Sequence, residues 1–152
     1  MHHAVDRTVG VVADRVGRFL GTDHKLGRVL LNTLMKLDGG WTLNPDLSFI
    51  KINHLKNVQK KRILGPADLA VEVLSPLDEG VDRKIKYGVY ARFGIPWFWV
   101  VDLDKRVLKE YELVEDTYKK KVEAPFDTSF HPRAFPGLVI DPSALEWRGI
   151  LG

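Results

Sequence analysis

The sequence contains no cysteine among its 152 residues, which excludes disulfide bonds and thiolate metal sites. It also lacks any apolar run near the ~20 residues that a membrane span requires. Its start does not show the charged segment and apolar core of a signal peptide. We therefore expect a soluble, cytoplasmic protein without a membrane partner, in which any metal ion binds through oxygen or imidazole ligands.

Several functional motifs are missing as well. There is no Gly-rich phosphate loop and no G-x-S-x-G nucleophile elbow, and the five histidines do not show metal-ligand spacing. The net charge of +3, from 23 basic and 20 acidic residues, is too small to predict nucleic-acid binding by itself. With 45% apolar and 28% charged residues, the chain fits one globular domain over residues 1–152.

The first half of the chain predicts a helix and a hairpin. Apolar residues recur at steps of three and four over residues 5–20, which indicates an amphipathic helix. Residues 26–37 and 41–50 read as two paired strands, because Asp38-Gly39-Gly40 between them supplies the positive φ of a tight turn. The polar and basic segment 51–66 ends in Gly-Pro and is predicted to be an exposed connection.

The second half adds strands to the same sheet. A strand over 68–74 is followed by a helix over about 82–93, which should end at Gly94 because Pro96 follows. Further strands are predicted at 97–102, 107–114 and 118–122, then an apolar run at 135–140 and a short helix near Asp141. This order predicts a mixed sheet flanked by helices, in an α/β three-layer or α+β arrangement.

Three polar residues interrupt otherwise apolar surroundings. Asp46 opens the run DLSFI, Glu72 lies inside the run DLAVEVL, and Lys86 lies on the next predicted helix. Ionised groups in buried strands are costly unless they are paired or bound to a metal. Two carboxylates on neighbouring strands with a lysine close by could hold a divalent cation and activate a water against a phosphodiester. Alternatively, Asp46 is a turn residue after Pro45, and Glu72 forms a structural salt bridge with Lys86.

Other residues allow a functional and a structural interpretation. Asp68 shares a strand face with Glu72 and is an additional candidate metal ligand, but it also fits a cap at the start of the strand or an ion pair with a nearby arginine. Four basic residues could grip a phosphate backbone, although solvated loop charge is the commoner explanation: Lys56, Lys60, Lys61 and Arg62. A second basic run, 119–121, alternates across a strand and cannot face one ligand. Four aromatic residues are predicted to lie in the core rather than stack on bases: Tyr87, Tyr90, Trp97 and Trp99.

Four blocks follow one another along the chain: NPDLSFI (44–50), GPADLAVEVLSP (65–76), DRKIKYGVYARFGIPWFWVVD (82–102) and FPGLVID (135–141). Together they resemble the Uma2 family of restriction-endonuclease-like proteins, which belong to the PD-(D/E)XK nuclease fold. The resemblance extends from about residue 3 to 147. It implies a restriction-endonuclease-like central mixed β-sheet flanked by α-helices, a magnesium- or manganese-dependent endonuclease site, DNA as a partner, and a homodimer.

The resemblance also assigns candidate site residues. The proline-aspartate of the family matches Pro45-Asp46, and its second acid matches Glu72. These two carboxylates are then the implied magnesium ligands. Because Mg²⁺ prefers hard oxygen ligands and keeps several waters, a strand carbonyl such as that of Val73 would complete the protein ligands, and Asp68 is an additional candidate.

The lysine of the usual nuclease pattern would lie two residues after the second acid, where this chain has Leu74. The resemblance instead places a lysine on the next helix in the pattern K-x-x-x-Y, which corresponds to Lys86 and Tyr90. Lys86 is thereby expected to assist the attacking water. Lys84 is a weaker candidate for this role.

The resemblance further implies an N-terminal segment whose glutamate joins the active site, and this sequence does not include it. We therefore expect the chain to be N-terminally short for the family, and the loss of that acid to weaken metal binding. The alternative function is a catalytically inactive nuclease-like domain that serves binding or oligomerisation.

Overall fold

A computed structural model of the chain describes residues 3–20, 26–74 and 80–145. The helices are α1 (His3–Phe19) and α2 (Gly80–Arg92), and short 3₁₀ helices lie at Asp38–Gly40, Ile52–Asn57 and Pro142–Leu145. The strands are β1 (Gly27–Leu31), β2 (Leu34–Lys36), β3 (Thr42–Leu43), β4 (Leu47–Lys51), β5 (Arg62–Leu64), β6 (Leu69–Leu74), β7 (Trp97–Asp102), β8 (Val107–Val114) and β9 (Thr117–Pro125).

Six strands form the main sheet in the order β1-β4-β6-β7-β8-β9. The pair β6–β7 is parallel, because α2 crosses over between these strands, and the other neighbours are antiparallel. Every residue of β6 is buried, as expected for a central strand covered on both faces. The predicted mixed sheet with flanking helices is therefore confirmed.

Each face of the main sheet has its own apolar core. On one face, α1 and the segment around Phe135 cover residues such as Phe49 and Val71. On the other face, α2 and a small sheet of β3, β2 and β5 cover Ala70 and Leu74. Because side chains alternate along a strand, Glu72 lies on the face of Ala70 and Leu74. Among the described residues, no helix is long and apolar enough to cross a membrane.

The predicted hairpin exists, but it bends from one sheet into the other. The pairs Met35↔Leu43 in the small sheet and Leu31↔Leu47 in the main sheet keep one common register around the turn. The arm predicted as one strand over 26–37 breaks after β1 at Asn32, which has a φ of 46°. The other arm breaks opposite this point, where the Asp46 carbonyl accepts the Asn32 N–H at 3.1 Å. Asp46 therefore lies at the bend. The strand predicted over 41–50 would have placed it midway along a paired strand.

Two other predictions need correction. Segment 51–66 is not only an exposed connection, since it contains β5, whose Ile63 is buried and which pairs in parallel with β2. The strand predicted at 118–122 is longer and covers Thr117–Pro125. The apolar run predicted at 135–140 packs into the core. Phe135 packs edge-on against Phe49 and Trp99, and Ile140 forms an isolated antiparallel bridge with Phe130.

Candidate active site

Asp46 and Glu72 meet on the face of the main sheet that α2 covers. Strands β4 and β6 pair through Leu47↔Val71 and Ser48↔Ala70, so the next position along this register brings Asp46 opposite Glu72. The pairing itself stops at Leu47, because the hairpin bends there. The predicted meeting of two carboxylates from adjoining strands is thus present in the structure.

The end of the β4–β6 pairing also gives Asp46 a fixed partner. The Val73 N–H no longer has a β4 carbonyl opposite it, and it donates to Asp46 Oδ2 at 2.7 Å. In an antiparallel ladder the N–H and C=O of one residue point toward the same neighbour. The Val73 carbonyl therefore faces the same side as Asp46.

Glu72 is held by two side chains from α2. The Tyr90 hydroxyl donates a hydrogen bond to Glu72 Oε1, and Lys86 Nζ lies 3.5 Å from Glu72 Oε2. These residues are four apart, so one helix face presents both. The carboxylate is buried, with 7% of the Glu72 side chain exposed, whereas 38% of the Lys86 side chain is exposed. Lys86 therefore contacts the buried Glu72 carboxylate while part of its own side chain remains in solvent.

The environment makes the Glu72 carboxylate costly to ionise. Burial raises the pKa of Glu72 to about 7, and the Asp46 charge adds to this effect, while Lys86 and the Tyr90 hydrogen bond lower the pKa in part. Burial and the Glu72 charge raise the pKa of the Tyr90 hydroxyl as well. Tyr90 therefore stays protonated and remains a hydrogen-bond donor to Glu72.

The oxygen atoms at this site fit a hard divalent cation. Two carboxylates converge, the Val73 carbonyl faces Asp46, and an added positive charge would favour the ionised form of Glu72. Across residues 3–20, 26–74 and 80–145, no group of three or more His, Cys, Asp or Glu side chains could hold a metal. Such a limited ligand set suits Mg²⁺, which keeps several waters when bound to protein.

The structure does not bring Asp68 to this site. Asp68 Oδ2 accepts the Lys51 N–H at 2.7 Å, and His54 Nδ1 lies 3.0 Å from both carboxylate oxygens. Asp68 precedes Glu72 by four residues, which corresponds to about 13 Å along the strand. Its contacts are those of a residue that caps the entry to β6.

Two residues outside the predicted set lie beside Asp46 and Glu72 on the same sheet face. Tyr90 was predicted to be a core aromatic, and it is buried against Phe98, but its hydroxyl also holds Glu72. The signal for this role was the K-x-x-x-Y spacing. Ser48 was not singled out; it lies on the same sheet face, is fully buried, and its Oγ has no hydrogen-bond partner in the part of the chain that the structure describes.

The position of the usual nuclease lysine does not contribute a polar group to this site. Leu74, at the position of the usual nuclease lysine, is buried in the apolar core beneath α2. The side chain of Lys84 lies outside the described residues.

Comparison with known proteins agrees with this architecture. The chain is similar to a putative nuclease belonging to DUF820 from Anabaena variabilis, with a TM-score of 0.74 and 16% identity over 93% of this chain and 79% of that chain. A cryo-EM structure of a DrdV–DNA complex gives a TM-score of 0.40 and 10% identity over 78% of this chain and 12% of that chain. No curated protein matches the sequence.

The first of these similarities confirms the restriction-endonuclease-like fold that the sequence resemblance implied. The family comparison covers nearly the same residues as the sequence resemblance, which extends from about residue 3 to 147. The model of the Uma2 family, described as putative restriction endonuclease, matches residues 3–143. The chain therefore belongs to the Uma2 family.

Proposed function

We propose that this protein is an endonuclease that hydrolyses phosphodiester bonds in DNA and depends on a divalent cation, Mg²⁺ or Mn²⁺. Membership of a family described as putative restriction endonuclease supports the reaction class. The observation that carries the proposal is the buried Glu72 carboxylate, placed opposite Asp46 and within 3.5 Å of the Lys86 amine. A buried acid beside a second acid is costly for the fold, which is characteristic of functional sites.

Asp46, Glu72 and the Val73 carbonyl are the groups that would hold the cation. When bound, the cation would neutralise charge that develops on the phosphoryl oxygens and lower the pKa of water. The residues themselves keep the ligands in place. The Val73 N–H fixes Asp46 Oδ2, and the Tyr90 hydroxyl fixes Glu72 Oε1.

Lys86 is the proposed catalytic lysine. Its amine approaches Glu72 from α2, which packs on the sheet face that Glu72 and Leu74 share. A helix lysine can therefore reach the same carboxylate that a strand lysine at position 74 would reach. Because the side chain is partly exposed, the amine can hydrogen-bond an entering water or balance charge on the phosphorus oxygens.

Plasmid nicking with Mg²⁺ or Mn²⁺ tests the proposal. We expect nicking by the wild type and none by Asp46→Ala or Lys86→Met, while Lys105→Ala, a lysine in an exposed turn, keeps wild-type activity. Calorimetric titration with Mn²⁺ gives a readout that is independent of turnover, and Asp46→Ala should lose it. Equal nicking by all variants would identify a contaminant and contradict the proposal.

The second candidate is a catalytically inactive nuclease-like domain that serves binding or oligomerisation. The small number of acids favours it, since only two carboxylates meet within the described residues. This candidate predicts a folded wild type that neither binds Mn²⁺ nor nicks DNA. Sedimentation analysis would then test whether a homodimer is the functional form.

A further inference from the structure

A short basic turn lies between the two candidate acids in the sequence. Residues 47–67 contain five basic residues and no acidic one. They include Lys60, Lys61 and Arg62, which immediately precede the core residue Ile63 of β5. A charge run of this kind is usually a solvated loop, so its structure decides whether it can act as a binding surface.

The turn is closed by hydrogen bonds and not loosely connected. Gln59 donates its N–H to the Arg62 carbonyl at 2.8 Å, and Val58 forms an antiparallel bridge with Ile63. The Gln59 side-chain oxygen also accepts the Arg62 Nε–H at 2.7 Å. Lys60 and Lys61 therefore occupy the tip of a fixed turn, where both side chains are exposed.

The small sheet extends the positive charge of this turn. On its outer face Arg62 lies opposite Leu34, and Lys36 lies opposite Leu64, so the two cations are diagonal neighbours. Both are exposed. The inner face of the small sheet, through Met35 and Ile63, packs on the sheet face that carries Glu72. The basic turn and the candidate site thus lie over the same face of the main sheet.

The second basic run, 119–121 on β9, differs from the basic turn because its lysines have acidic neighbours. Lys120 forms an ion pair with Glu123 at 2.7 Å, and Lys121 lies 3.9 Å from Glu112. Lys119 is directly opposite Glu112 in the strand register. By contrast, the structure shows no ion pair for Lys60, Lys61, Arg62 or Lys36 within the described ranges.

We infer that the basic surface formed by Lys36, Lys60, Lys61 and Arg62 binds the phosphate backbone of duplex DNA. This inference rests on the proposed function, because it names where the substrate of that site is held. Exposed cations without acidic partners on a fixed turn are suited to neutralise phosphates and release counterions. Such contacts position the duplex without reading its sequence.

Two double variants with equal charge change test the inference: Lys60→Ala/Lys61→Ala and Lys119→Ala/Lys120→Ala. Binding of a labelled duplex oligonucleotide is measured by fluorescence anisotropy in EDTA, so that neither metal nor cleavage contributes. We expect the first variant to weaken binding at least about fivefold and to reduce the slope of log K against log salt by about two. The control variant should stay within about twofold of the wild type, and Lys60→Arg/Lys61→Arg should restore affinity.

Acetylation of the wild type provides a measurement that does not depend on a variant folding. Bound duplex should protect Lys60 and Lys61 from the reagent and leave Lys119 and Lys120 reactive. Equal loss of affinity in both alanine variants, or no protection of Lys60 and Lys61, would overturn the inference.

Failure of the inference and failure of the proposed function give different results. Metal-dependent nicking by a wild type whose DNA affinity is unchanged in Lys60→Ala/Lys61→Ala overturns the surface and leaves the chemistry. Selective loss of affinity in that variant, together with a wild type that does not nick, supports the surface and overturns the chemistry. A wild type that binds no duplex overturns both.

Discussion

Asp68, directly before β6, and Glu72, inside β6, lie on the same face of the sheet, yet their surroundings differ in kind. Asp68 receives the Lys51 N–H and the His54 ring nitrogen, so both of its oxygens have partners that belong to the local chain. Glu72 is buried beside Asp46, and its partners come from α2. Asp68 joins neighbouring segments, whereas Glu72 carries a desolvation cost for the fold and contacts Lys86, which is partly exposed.

This difference separates a structural acid from a candidate functional one. Hydrogen bonds to backbone and side chains compensate for the desolvation of Asp68. Burial raises the pKa of Glu72 to about 7, which means that the ionised form is incompletely compensated. A bound divalent cation would offset that cost at Glu72 but would add nothing at Asp68.

The largest expected effect is on nuclease activity. Glu72→Gln should reduce Mg²⁺-dependent nicking by about a thousandfold, because it removes a charged ligand and the cation it holds. Asp68→Asn should stay within a few-fold of the wild type, since Asp68 lies away from the site. Comparable losses in both variants would mean that Asp68 takes part in the chemistry.

Substitution of the two acids should change the free energy of unfolding in opposite directions. Without metal at pH 8, Glu72→Gln should raise the free energy of unfolding by roughly 3 kcal/mol, the value of a pKa moved from 4.5 to about 7. Asp68→Ala should lower it by about 2 kcal/mol, because the Lys51 N–H and His54 lose their acceptor. Urea denaturation of both variants measures the two changes.

The pH dependence follows from the same shift. Folded Glu72 binds its proton more tightly than unfolded Glu72, so its contribution to stability is full below about pH 4.5 and is lost as the pH rises through about 7. Glu72→Gln does not titrate and should lack this loss, while Asp68→Ala should retain it. A parallel decline in the wild type and Glu72→Gln between pH 5 and 8 would contradict the assignment.

Tyr90→Phe should have a smaller effect. The variant keeps the ring that packs on Phe98 but removes the donor that holds Glu72 Oε1 and lowers its pKa. We expect Mn²⁺ affinity at pH 7 to fall by about tenfold, as for other residues that orient a metal ligand. The loss should shrink as the pH is raised toward 8. Unchanged affinity in calorimetry would leave Tyr90 with a packing role alone.

Ser48→Ala should give the smallest change. Ser48 Oγ is buried and has no partner among the described residues, so its removal should raise the free energy of unfolding by about 1 kcal/mol. A matched variant, Thr8→Ala, should instead destabilise the protein, since the Thr8 hydroxyl donates to the Leu145 carbonyl at 3.0 Å. A destabilised Ser48→Ala would indicate that the hydroxyl has a partner in solution.

Much of the fold could be predicted because periodicity reports burial directly. The two helices, the central strand 97–102 and the Asp38-Gly39-Gly40 turn follow from apolar spacing and glycine. The bend of the hairpin could not be predicted, because it depends on which sheet each half joins. Strand β5 could not be predicted either, because only Ile63 of its three residues is buried and one apolar residue gives no alternating pattern.

The candidate site was predictable to a similar degree. Asp46, Glu72 and Lys86 stand out as polar residues in apolar runs, and the structure brings them together. Asp68 looked equivalent to Glu72 because alternation reports the face of a strand but not the position along it. Its actual partners, the Lys51 N–H and His54, come from a segment whose path the sequence did not reveal.

The shared register of the bent hairpin determines which way the side chain of Asp46 faces at the bend. Both arms are counted from the same Asp38–Gly40 turn, so one residue inserted there would shift the second arm by one position. Side chains alternate along a strand, and the carboxylate at position 46 would then face away from Glu72 unless a bulge absorbed the extra residue. A change in loop length, harmless at most surface turns, would in this protein misplace the carboxylate that we propose as a metal ligand.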